Sequence, residues 1–191
     1  MEKPELYFPR DVEWREWLHD YHKEYAQGVH LIFYKVDMEI PSMRWEEAVK
    51  VALCYGWIDS TVKSLGNGKR QQYFCPRNPK SFWSALNKKY IEELEAEGLI
   101  HDSGWEMIHH AKKTGTWSAM DDVENLVIPE DLQNAFALHP QAFKNYQDFA
   151  PSYQKGYLSW LFQAKRAETR LKRIHEIIQL CQSGIKSRQS F

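Results

Sequence analysis

The sequence has little sulfur chemistry to offer. Cys54, Cys75 and Cys181 are odd in number, widely spaced and never in a C-x-x-C pair. That pattern excludes a disulfide framework and the usual Cys-based zinc spacings, and it fits a reducing cytoplasm. Long hydrophobic runs are missing too: no stretch approaches the roughly 20 apolar residues of a membrane span. The start, Met1-Glu2-Lys3-Pro4-Glu5, has no basic segment followed by an apolar run, so no secretory leader is expected. There is no H-E-x-x-H, P-loop, G-x-G-x-x-G or G-x-S-x-G motif. His19 and His22 are spaced i, i+3 and His109 and His110 are adjacent, but neither pair is a metal signature. No metal and no cofactor is therefore expected.

Aromatic residues, by contrast, are abundant, with 8 Trp, 10 Tyr and 9 Phe in 191 residues. That much ring area can build a core and still leave rings on a surface. The formal net charge of −1 conceals a block pattern. Residues 1–60 carry a net −5, residues 61–90 a net +7 with no acidic group at all, residues 91–159 a net −8, and residues 160–191 a net +5. Either the basic and acidic blocks face each other as surface ion pairs within one fold, or the two basic blocks converge on an anionic ligand.

Periodicity predicts an α+β fold, mostly helical, with a small antiparallel sheet in the N-terminal half and a C-terminal helical bundle. Val12 to Tyr25 repeats its apolar residues at helical spacing. Val29 to Lys35 reads as a buried strand, and Met43 to Tyr55 as a helix stopped by Gly56. Trp57 to Lys63 and Lys69 to Cys75 form a hairpin around Gly66-Asn67-Gly68, completed into a sheet by the earlier strand. Ser84 is placed to cap a helix ending before Gly98, and Asp102 or Ser103 to cap one from Gly104 to Thr114. Gly115 to Ile128 reads as a loop, and everything beyond Pro129 as short helices packed antiparallel. The expected organisation is an α+β portion over 1–125, a helical portion over 126–185 packed on it, and a flexible tail over 186–191.

Two places invite a ligand. Around the hairpin, cations and rings interleave, which suits anions and the stacked, charged strands of nucleic acid. The candidates are Trp57, Asp59, Ser60, Lys63, Arg70, Arg77 and Trp83. Strand alternation sets Asp59 on one face with Trp57 and Thr61. A half-buried carboxylate there needs a partner, with Arg70 or Arg77 in reach. It is either a structural ion pair or an acid facing a ligand. Cys75, near Arg70 and Arg77, is placed to have a lowered thiol pKa. On the last helix, Arg166, Arg170 and Arg173 form one stripe opposite a buried face of Leu171, Ile174, Ile178 and Cys181. Such forks suit carboxylates and phosphates, or the acidic middle block of the same chain.

Three stretches, AVKVALCYGWIDS (Ala48 to Ser60), FCPRNPKSFWSALNK (Phe74 to Lys88) and AKRAETRLKRI (Ala164 to Ile174), resemble the YdeI/OmpD-associated, or bacteriocin-protection, family. The spacing from Ile128-Pro129-Glu130-Asp131-Leu132 to the last of them matches as well. The resemblance spans most of residues 10–183. It implies a small bacterial protein linked to stress response and to resistance against bacteriocins or cationic antimicrobial peptides. It implies no reaction, cofactor or catalytic residue. Three readings follow: a cytoplasmic binding protein for an anionic small molecule or acidic protein surface; a nucleic-acid-binding module, against which the near-zero net charge counts; and an enzyme for a small anionic substrate, with Asp59 as acid or base. An aromatic-rich chain of this size also has the surface to form a homodimer.

Overall fold

The computed structural model describes residues 3–188. The chain divides into two compact units between Ser118 and Ala119.

In the first unit the strands are β1 (Glu5–Tyr7), β2 (Val29–Tyr34), β3 (Trp57–Gly66) and β4 (Lys69–Pro76). The sheet order is β1-β2-β4-β3. The expected hairpin is β3–β4, and β2 joins it antiparallel on the β4 side. Two features differ from the expectation. β1 adds a fourth strand parallel to β2, so the sheet is mixed. Three residues between Pro4 and Pro9 are too few for an alternating pattern to register. β3 runs on to Gly66, but its register with β4 shifts between Asp59 and Val62 and again between Ser64 and Gly66. Those bulges break the simple alternation that grouped Thr61 with Trp57 and Asp59. Together with Lys63 they also blunt an otherwise open edge strand.

The helices of this unit are α1 (Asp11–Tyr21), α2 (Trp45–Cys54), α3 (Ala85–Ala96) and α4 (Asp102–Thr114), with a 3-10 turn at Val36–Met38. Ser84 caps α3 as expected, accepting the Asn87 N–H at 3.2 Å. The cap of α4 is not Asp102 or Ser103 but His101, whose Nδ1 accepts the Ser103 N–H at 3.2 Å. The core takes Val29, Leu31, Phe33, Phe74 and Trp57 from one face of the sheet and packs them with Trp14, Leu18 and most of α2. Trp14 is fully buried and donates its indole N–H to Ala48 O at 3.2 Å. Gly104 lets α4 press against the end of α2: a Cβ there would sit 2.3 Å from Cys54 O.

The second unit holds α5 (Asp121–Glu124), α6 (Glu130–Ala137), α7 (Pro140–Gln147), α8 (Pro151–Phe162) and α9 (Ala167–Gln182). The short α5 falls where a loop was expected. Pro140 and Pro151 open α7 and α8, where a missing N–H costs nothing. The core is built from Leu132, Phe136, Tyr146, Leu158, Leu161 and the α9 residues Ile174, Ile177, Ile178 and Cys181. Leu171, expected on that buried face, is 67% exposed. The chain after α9 is tied back: Tyr157 OH donates to Ile185 O at 2.8 Å, and Arg188 pairs with Glu176 at 2.9 Å. Of the tail expected over 186–191, residues 189–191 lie outside the described residues. No helix among the described residues is long and apolar enough to cross a membrane.

Candidate functional site

At the hairpin end of the first unit the chain leaves β2, makes the 3-10 turn and returns as α2. Lys35 N–H donates to Gly68 O at 2.9 Å, tying this connection to the hairpin turn. Gly66, Asn67 and Gly68 all have positive φ, at 78°, 46° and 71°. A Cβ at Gly68 would also meet the Met38 side chain at 2.6 Å, so that exposed side chain packs directly over the turn. Between connection and hairpin lies an open groove of about 790 Å³. Phe33, Met43, Trp45 and Val62 contribute its apolar surface, and Lys35, Arg44, Lys69 and Arg70 its positive charge. Asp37 is the one carboxylate among the lining residues.

Among the described residues, none of these four cations is in an ion pair. The Arg44 backbone N–H donates to the Glu47 carboxylate at 2.6 Å at the start of α2. The guanidinium carbon of Arg70 lies 5.2 Å over the Phe33 ring. Trp45 is anchored from behind: its indole N–H donates to Asp59 Oδ2 at 2.9 Å, and Gln72 Nε2 donates to the same oxygen at 2.8 Å.

Asp59 therefore finds partners, but neither is an arginine. Arg70 sits on the far side of the β3 bulge over Phe33, and Arg77 stacks 3.9 Å from the Trp83 ring centroid. The carboxylate fixes a groove-lining indole and is itself half-buried, so it acts here as a positioning residue.

The other candidates scatter. Trp57 is 1% exposed and packs edge-to-face on Trp14 and Trp17, so it belongs to the core rather than to a surface. Trp83 is equally buried. Arg77 is 4% exposed; it donates to Phe82 O, and its Nε has no partner. Burial lowers its guanidinium to about 10. Ser60 is exposed on β3. Lys63 lines a separate polar cleft with Lys3, Glu5, His30 and Gln71. The thiols offer no nucleophile: burial pushes Cys54 and Cys75 up, against the lowering expected for Cys75, and Cys181 up to about 12.

In the second unit two of the three α9 stripe arginines are engaged internally. Arg170 forks onto Asp131, with its Nη2 2.9 Å from Oδ1. That pairing holds the Asp131 carboxyl below its ordinary value, chiefly through the Arg170 hydrogen bond. Arg173 donates to Trp160 O and lies 5.0 Å over the same indole. Arg166, at the N-cap of α9, is exposed.

Sequence reasoning thus found Arg70 and Asp59 but missed Lys35, Arg44 and Trp45. The signal was the sheet order. Once β2 pairs with β4 at Tyr34–Lys69, the stretch from Lys35 to Trp45 must pass the hairpin tip.

A model described as a domain of unknown function (DUF8412) matches residues 6–107, more than half of the chain. A second, described as bacteriocin-protection, YdeI or OmpD-associated, matches residues 125–184. The chain belongs to the DUF8412 family, and part of its second unit is similar to the YdeI/OmpD-associated family. Of the three stretches that carried the resemblance, Ala164 to Ile174 lies inside the YdeI/OmpD-associated match, whereas the other two lie in the DUF8412 match. The basic groove is entirely in the DUF8412 segment. No curated protein and no solved structure matches the chain. No group of His, Cys, Asp and Glu among the described residues is arranged to hold a metal ion.

Proposed function

We propose that this is a binding protein for an anionic ligand and that the ligand sits in the groove between the β3–β4 hairpin and the start of α2. The observation that carries this is the set of four cations, Lys35, Arg44, Lys69 and Arg70, around an aromatic-lined cleft with a single lining carboxylate. Like charges gathered along one cleft repel one another and focus a positive field there. An anion relieves the repulsion and gains charge-assisted hydrogen bonds. The geometry favours this over catalysis by Asp59, whose Oδ2 already accepts two donors.

The family description of the second unit supports a protective role in bacteria, and the unpaired cysteines fit work in the cytoplasm. A cationic peptide is a poor occupant of this groove, which would repel it. Protection would then run through an anionic partner or metabolite.

Isothermal titration with inorganic polyphosphate at low ionic strength tests the reading. Binding should weaken at least about tenfold in an Arg44→Ala/Arg70→Ala variant, since each charge-assisted contact is worth about 1.5–3 kcal/mol. A variant that folds normally and binds as the parent does would sink it.

A further inference from the structure

The sheet has a second face that the core does not use. Directly paired residues share a face, so the register builds its rows. Glu5, His30 and Tyr73 form one row, Tyr7, Ile32, Gln71 and Lys63 the next, and Tyr34 with Lys69 the third. Only Ile32 among these is buried. Four rings, Tyr7, His30, Tyr34 and Tyr73, are therefore displayed on three neighbouring strands. They are held in place: Tyr7 OH donates to Pro41 O, Tyr73 OH to Gln27 O at 2.5 Å, and Tyr7 packs edge-to-face on Tyr34 at 5.4 Å. Lys3 already covers the Tyr73 ring at 3.8 Å, which shows that this face attracts cations to its rings.

Two further observations point to a ligand. A polar cleft of about 700 Å³ opens among Lys3, Glu5, His30, Lys63 and Gln71, and His30 Nδ1 is buried there without a hydrogen-bond partner. The third row is continuous with the basic groove, because Tyr34 and Lys69 line both.

We infer that this face is a stacking platform for a short single-stranded nucleic acid, with bases on Tyr7, His30 and Tyr34 and phosphates on Lys63 and Lys69. Strands about 4.8 Å apart, with same-face residues about 6.6 Å apart along each, space rings suitably for splayed bases. Every base offers a π face, so the platform is tolerant of sequence. The near-zero charge of the whole chain is no obstacle, since the acidic groups lie elsewhere and Glu5 is the only one in these rows, hydrogen-bonded to Gln71. The inference rests on the groove reading and deepens it, naming the anion as a strand that crosses the platform, rounds the end of the sheet at Tyr34 and Lys69, and enters the groove, where Arg70 lies on the opposite face with Phe33.

The test compares a short fluorescein-labelled oligothymidylate with inorganic polyphosphate, a polyanion without bases. Fluorescence anisotropy follows the first, and titration calorimetry the second. The oligonucleotide should bind with a log–log salt slope at least as steep as about −1.4, from two platform phosphates at about −0.7 each on a single strand, and steeper with each phosphate held in the groove. Tyr7→Leu should weaken it at least about fivefold, Tyr7→Phe should restore it, and polyphosphate, whose groove Tyr7 does not line, should bind all three proteins alike. If polyphosphate binds but Tyr7→Leu leaves oligonucleotide affinity unchanged, the platform is wrong and the groove stands. If the oligonucleotide responds to Tyr7 but neither ligand responds to Arg44→Ala/Arg70→Ala, the groove is wrong. If neither ligand binds the parent protein, both fall.

Discussion

Asp59 shows how one carboxylate can be mistaken for chemistry. Its Oδ2 holds the indole of Trp45 at 2.9 Å and the amide of Gln72 at 2.8 Å, so it connects β3, β4 and the first turn of α2. Trp45→Phe keeps the ring and removes one donor from a half-buried charge. That should cost about 1–2 kcal/mol in a urea melt and also loosen the groove. No change in stability would mean that the bond is ornamental. Arg170 and Asp131 make the matching case in the second unit, but both are substantially exposed, at 30% and 42%. Arg170→Ala should therefore cost no more than about 1 kcal/mol, an effect that shrinks with salt. Because the folded carboxyl is held below its ordinary value, this stabilisation is complete above the unfolded carboxyl pKa. It is lost as pH falls through the depressed folded value.

At the level of elements, the sequence made β2, the β3–β4 hairpin and the helices legible, because strand and helix periods and Gly or Pro punctuation are local signals. It hid what depends on distant partners. β1 exists only because β2 offers it an edge, and the β3 bulges only because β4 imposes a register. Hence Trp57, read as a ligand candidate, is core, and the groove residues Lys35 and Arg44 went unnoticed although both are plain in the sequence. The cap of α4 is another tertiary outcome. His101 stacks on Tyr55 at 5.0 Å and has His22 at 5.1 Å and His19 at 5.9 Å, with Asp102 beside it. Burial first, then His22, holds its imidazole below the ordinary 6.5. A lowered folded pKa means stability that is full above about 6.5 and declines as pH falls below it, when Nδ1 gains a proton and can no longer accept the Ser103 N–H. His101→Asn, a competent cap that does not titrate, should flatten stability between pH 7 and 5; an unaltered slope would refute the assignment. Gly104→Ala tests the neighbouring contact. With Cys54 O only 2.3 Å from the new methyl, the melting temperature should drop, at a cost of about 1–3 kcal/mol.

For the whole molecule, the two basic blocks of the sequence have separate fates. In the α9 block Arg170 is held by Asp131 and Arg173 by Trp160 inside their own unit, whereas Arg166 is exposed. In the hairpin block, Arg77 is buried against Trp83, whereas Lys69 and Arg70 join Lys35 and Arg44 around an open groove. Charge counting located both blocks but could not separate these fates, because ion pairing is a property of the folded surface. The contrast yields the most direct test of the account. Polyphosphate affinity should be measured at low salt in two folded double variants, Arg44→Ala/Arg70→Ala and Arg166→Ala/Arg173→Ala. A loss of about tenfold or more is expected in the first, from charge-assisted contacts removed at the groove, and parental affinity in the second. Parental affinity in the first with a loss in the second would contradict it and return the ligand to the α9 stripe.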